Sequence, residues 1–153
     1  MRLRLILLCL LLHSGLLYAN QQIQSLLNQA EAPDGVVFEV VEDDDDALDW
    51  ALPEIIKLSQ QLRQRFPGLD IAVVTHGREE FSLQTINQEN DVTIHQQVKT
   101  LQSDNIPVHV CETHAGWYGV DAEDFPDYVD VVPAGPVQID HYRELGYEVI
   151  RVE

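Results

Sequence analysis

Residues 106–120 read IPVHVCETHAGWYGV. Ile106 to Val110 is an apolar run broken only by Pro107 and His109, which predicts a buried strand ending at Cys111. The polar turn that follows carries Glu112 and His114 and leads into Trp117 and Tyr118, where a helical turn is predicted. In open α/β sheets, ligands bind beyond the carboxyl ends of the strands. A cysteine at such an end marks the place to look for chemistry.

Outward from this strand the same alternation recurs. Residues 35–41 (GVVFEVV) and 70–76 (DIAVVTH) precede it as apolar strands, a short strand is predicted over 129–132, and residues 147–152 make the last. Leu48, Leu52, Ile55, Leu58 and Leu62 recur every three or four residues, the spacing of an amphipathic helix that ends near Phe66-Pro67-Gly68. Pro53 implies that this helix either kinks or properly begins there, because proline suits a first turn and not an interior. Ile94, Val98 and Leu101 share a face of a second helix, residues 137–145 form a third closed by Gly146, and residues 79–83 a short one. Five apolar strands alternating with helices predict an α/β fold, a three-layer α/β/α arrangement around a parallel sheet of about five strands, flavodoxin-like in architecture. Four post-strand segments then share one edge: the acidic run 42–46, His76-Gly77, Cys111 with its turn, and Pro133 to Pro136.

The N-terminus has a different character. Residues 1–4 are basic, residues 5–12 are an unbroken apolar run and Ala19 closes the segment, the layout of a secretory signal peptide cleaved after Ala19. The run is shorter than the roughly 20 residues of a spanning helix, so no membrane association is expected after cleavage. The organisation expected is a signal peptide over 1–19, an N-terminal arm over 20–34 and one domain over 35–153. In the arm, Ile23, Leu26, Leu27 and Ala30 stand at helical spacing, which reads as a short amphipathic helix or a loose arm. The protein is then exported, and periplasmic in a Gram-negative source. Cys9 leaves with the signal, so Cys111 has no intramolecular disulfide partner. With 26 acidic against 9 basic residues the net charge is −17, and that field repels phosphate backbones and anionic membranes. Nucleic-acid and lipid-surface roles are excluded on that ground.

The segments VVTHG, PVHVCETHAGWYGV, VVPAGPVQ and ELGYEVIRV, in this order and spacing over about residues 36–152, resemble the DsrE/DsrF-like family of sulfur-relay and intracellular sulfur-oxidation proteins. The resemblance implies a small parallel α/β fold that assembles into trimers or hexamers. It also implies sulfur carried as a persulfide on a cysteine, and the matching position here is Cys111. The partners implied are a thiol-bearing sulfur donor or acceptor protein, or a small sulfur compound; no cofactor is implied.

Cysteine is nucleophilic as the thiolate, which a helix N-terminus or a nearby imidazolium favours. Cys111 precedes a predicted helix start and His114 lies three residues on, while Glu112, a neighbouring carboxylate, opposes the thiolate. His76, at the end of the preceding strand, joins His114 as a candidate for proton transfer, since histidine titrates near neutral pH. The alternative is a buried, inert Cys111 in a non-catalytic oligomeric or ligand-binding module, with His76 a strand-end cap and His109 a satisfied histidine beneath a helix. Gly77, Glu112, Trp117 and Gly135 are candidates for the pocket around Cys111. Trp117 and Tyr118 either wall that pocket or bury against a neighbouring subunit, and Gly135 permits a tight turn. No metal is assigned: the spacing of Cys111, His114 and His76 matches no structural zinc pattern, and residues 42–46 lack the alternation of a helix-loop-helix calcium site. Those acids are expected to cap and favour the N-terminus of the helix behind them.

Overall fold

The structure, a computed structural model, describes residues 14–153. Most of the signal-peptide segment, residues 1–13, therefore lies outside the described residues. Five strands, β1 (Gly35–Val40), β2 (Ile71–Thr75), β3 (Val108–Cys111), β4 (Asp130–Val132) and β5 (Tyr147–Val152), form one sheet in the order β4-β3-β2-β1-β5. Every pairing is parallel, with Val40 opposite Thr75, Val73 opposite Val108 and Cys111 opposite Val132. The helices are α1 (Ser14–Leu27), α2 (Leu48–Arg65), α3 (Val92–Ser103), α4 (Glu112–Trp117) and α5 (Gly135–Glu144), with 3₁₀ turns at Arg78–Leu83, Thr85–Asn87 and Ala122–Asp124.

The order explains the layers. From β1 to β4 the chain steps across the sheet in one direction, so right-handed crossovers put their helices on a single face. The step from β4 back to β5 runs the other way, and α5 lands on the opposite face. The alternation of each strand follows: Val36, Phe38 and Val40, with Val73, Val108 and Val110, pack into one large core with Ile23, Leu26, Leu52, Ile55, Val98 and Leu101 of α1, α2 and α3. Val37, Ala72 and Val74 point the other way, onto Ile139 and Tyr142 of α5. Each fully buried Leu, Ile or Phe contributes about 1.5–3 kcal/mol relative to exposure. One face is thus covered by α1, α2 and α3 with the short α4, and the other by α5.

Three sequence expectations change. The helix carrying Pro53 does not begin there; α2 starts at Leu48 and runs through the proline, which forgoes the bond to the Asp49 carbonyl. The acidic run does not cap α2: its N-cap is Ala47, with no side-chain bond, and Asp45 instead pairs with Arg78 at 2.9 Å. The third predicted helix starts earlier, at Gly135, with Pro136 in its first turn, where a missing N–H costs nothing. Gly146, at φ +85°, follows α5 as the left-handed residue that ends it. Among the described residues, no helix is long and apolar enough to cross a membrane.

Candidate functional site

After β3 the chain turns toward β4, and after β4 it dives beneath the opposite face as α5. Where neighbouring connections part to opposite faces, a crevice opens at the strand ends. Here it is a concavity of about 310 Å³ lined by His76, Cys111, Thr113, His114, Trp117, Ala134 and Pro136. A groove of about 350 Å³ between α2 and α3 holds neither cysteine nor histidine, and its Arg63 is spent on the Leu69 and Asp104 carbonyls.

Two adjacent carboxyls, both fully buried, stitch the strand ends together. Oε1 of Glu79 accepts the backbone N–H groups of His76 (3.1 Å) and Gly77 (3.0 Å), and its Oε2 accepts that of Glu42 (2.8 Å). The segments leaving β1 and β2 are thereby held together. Glu80 does the same for β2 and β3: Oε2 accepts the Cys111 N–H at 2.8 Å, and Oε1 lies 2.8 Å from Nδ1 of His114. Thr113 continues the chain of ties, donating both its N–H (3.2 Å) and its hydroxyl (2.6 Å) to the Pro133 carbonyl after β4.

Cys111 is 3% exposed, is the N-cap of α4, and its Sγ accepts the His114 N–H at 3.4 Å. The His114 ring stacks on Phe81 and meets the rings of Trp117 and Tyr118 edgewise or tilted. His76 closes the other side, with Nε2 2.9 Å from Oε1 of Glu39, which shares its sheet face. The concavity therefore presents one thiol between two histidines, each tied to a carboxyl. Among the described residues, no group of three or more His, Cys, Asp or Glu side chains is arranged to hold a metal ion.

Burial sets the protonation. It pushes the Glu80 carboxyl up to about 8, against the Cys111 N–H that favours the anion, with Glu79 adding repulsion. Burial also raises Glu79, opposed by its backbone donors. It lowers His114, whereas the hydrogen bond with His76 holds Glu39 below the usual carboxylate range. A protonated Glu80 beside a neutral His114 has the same proton count as a carboxylate beside an imidazolium, so the two titrate as one couple.

No family model matches the chain, and no curated protein matches it. Solved structures do. The protein of unknown function MTH1491 from Methanobacterium thermoautotrophicum is 23% identical with a TM-score of 0.62, covering 76% of this chain and 96% of that one. The ychN protein from E. coli is 17% identical with a TM-score of 0.58, covering 76% and 98%. The conserved protein of unknown function BT1422 from Bacteroides thetaiotaomicron is 13% identical with a TM-score of 0.53, covering 78% and 95%. The likeness is one of fold: the chain shares with these neighbours a small parallel α/β architecture.

Within this fold, the residues singled out from the sequence fall into two groups. Cys111, His114, His76 and Trp117 line the concavity, although Trp117 is 75% exposed and stands at its rim. Glu112 is exposed and outside the lining, and Gly77 and Gly135 lie behind it. Gly135 serves no left-handed turn. A Cβ there would meet Cβ of His76 at 2.4 Å, so the glycine permits the close approach of α5 to the end of β2. Gly77 likewise has no room for a Cβ beside the Glu42 backbone, 2.5 Å away. His109, on the same face as Cys111, is occupied beneath α5 by the Tyr142 hydroxyl at 2.8 Å. Sequence reasoning missed Glu39, Glu79 and Glu80. A charged residue inside GVVFEVV was a signal for Glu39; Glu79 and Glu80 offered none, since REEF reads as a solvated turn.

Proposed function

We propose that this chain is a sulfur carrier or sulfurtransferase-type protein that holds sulfane sulfur as a persulfide on Cys111. The observation that carries the reading is the placement of Cys111 at the carboxyl end of β3, lining a concavity between His76 and His114. The sulfur resemblance of VHVCETH and its neighbouring motifs supports the chemistry, and the fold neighbours support the scaffold alone. In this reading the donor and acceptor are thiols or small sulfur compounds, His114 or His76 moves the proton, and no cofactor takes part. The protein is exported, loses residues 1–19, works in the periplasm and assembles with copies of itself as a trimer or hexamer.

The 3% exposure of Cys111 favours a second reading, a binding module with an inert cysteine. Mass spectrometry of protein made with its full leader separates the two. After brief polysulfide treatment, we expect a mass increase of one or more sulfur atoms that a reductant reverses and that Cys111→Ser lacks. The untreated mass should correspond to a chain starting at Asn20, and native spectra should show the oligomer. No adduct on folded protein, with no labelling of Cys111 by a small alkylating reagent, would establish the binding module instead.

A further inference from the structure

Glu80 is a buried carboxyl that touches both halves of the proposed chemistry, the backbone of the thiol residue and the ring of the nearest histidine. Its two oxygens are divided between them, Oε2 to the Cys111 N–H and Oε1 to Nδ1 of His114, each at 2.8 Å. With Nδ1 committed, Nε2 is the His114 ring nitrogen without a partner among the described residues. Phe81, Trp117 and Tyr118 surround the ring on its other sides.

We propose that Glu80 is a positioning residue that decides whether Nε2 of His114 offers a proton or takes one, while holding Cys111 at a fixed distance from that ring. The inference deepens the sulfur-carrier reading and, as a transfer step, rests on it. When Glu80 is ionised it accepts the Nδ1 proton, and Nε2 is left with a free lone pair. When the couple gains a proton, Glu80 or the imidazolium keeps Nδ1 engaged and Nε2 carries a hydrogen. In the ionised state, a thiol acceptor RSH entering the concavity gives its proton to Nε2, and RS⁻ attacks the outer sulfur of the Cys111 persulfide. The new S–S bond forms as the old one breaks, and the leaving electron pair stays on Sγ. Sγ takes the proton back from Nε2. The products are RSSH and the Cys111 thiol; the sulfane sulfur changes hands with no oxidant or reductant.

Other charges face this couple from each neighbouring element. Glu79 adjoins it on the 3₁₀ turn, and His76 stands at the end of β2, backed by Glu39 of β1. Arg78 lies beside Tyr118 and is neutralised by Asp45 of the β1–α2 loop. From α3, His95 faces the backbone of Ser82 and the Tyr128 hydroxyl. Glu79 raises His114 and Glu80 alike, whereas His76 lowers both. Arg78, although paired with Asp45, also lowers His114.

The test is the nitrogen-15 NMR signature of His114 in the full chain, without any sulfur donor, assigned by its loss in His114→Gln. In the native protein both ring nitrogens should report the ionisation of Glu80, whose carboxyl burial raises to about 8, as Nε2 gives up its hydrogen. In Glu80→Gln the amide imitates the protonated acid, so that transition should vanish and Nε2 should keep its hydrogen. The pH profile of Cys111 alkylation by iodoacetamide should lose one inflection in the same variant. A Glu80→Gln protein with altered melting but unchanged profiles would show a merely structural role and overturn the proposal. If that variant does not fold, carbon-13 titration of the native Glu80 carboxyl decides: a midpoint separate from that of His114 overturns the coupling. Failure of the sulfur adduct on Cys111 would sink the carrier reading while leaving this proton couple to be read on its own.

Discussion

Gly135 and His76 show how little room separates the site from its scaffold. Cβ of His76 lies 2.4 Å, and ring atom Cγ 2.8 Å, from where a Cβ on the first residue of α5 would go. Gly135→Ala should destabilise the protein by about 1–3 kcal/mol, as overpacking of a tight contact does, and urea unfolding measures it; an unchanged midpoint would mean that α5 and His76 part freely. From the sequence, Cys111 and both histidines could be placed at one edge because each ends or follows an apolar strand. Their carboxyl partners could not. Glu79 and Glu80 are two sequence letters that look solvated, and their burial arises only when the segments after β2 and β3 close over them. The role of Gly135 was misread for the same reason, since a turn glycine and a contact glycine look identical until the neighbour is known.

At the scale of elements, strand and helix periodicities carried most of the fold. All five strands stand within a residue or two of their predicted spans, and the packed face of α2 is the one its leucines mark. What periodicity does not give is which side a helix covers. The placement of α5 alone on its face follows from the strand order and the handedness of crossovers, neither of which is written in any local window. The segment before β1 is a second case. Gln-rich and short, it reads as a helix or a loose arm, yet α1 sets Ile23 and Leu26 into the main core beside β5. Ile23→Ala should therefore cost about 2–5 kcal/mol, in the range of other core truncations, when unfolding is followed by circular dichroism. A cost within 0.5 kcal/mol would show that the arm is dispensable.

For the whole molecule, protonation sets a window of stability. Glu80 is raised on folding from 4.5 to about 8, so the folded state holds a proton that the unfolded chain has lost over that interval. Its contribution is full below 4.5 and disappears as pH rises to about 8. His95, His109 and His114 are lowered by burial from 6.5, so their contribution is present above 6.5 and is lost as pH falls below it. Urea midpoints taken at pH 5 and pH 8.5 should show less loss on the alkaline side in Glu80→Gln than in the native protein; equal losses would remove Glu80 from the account. The sheet order has a temporal side as well. Strand β1 lies between β2 and β5, so residue 35 must find residue 147 before both of its edges are paired. Closure over such a span is slow, because the entropy of joining distant segments is lost before their contacts are gained. On the ribosome, β1 waits with one edge bare until β5 has been added.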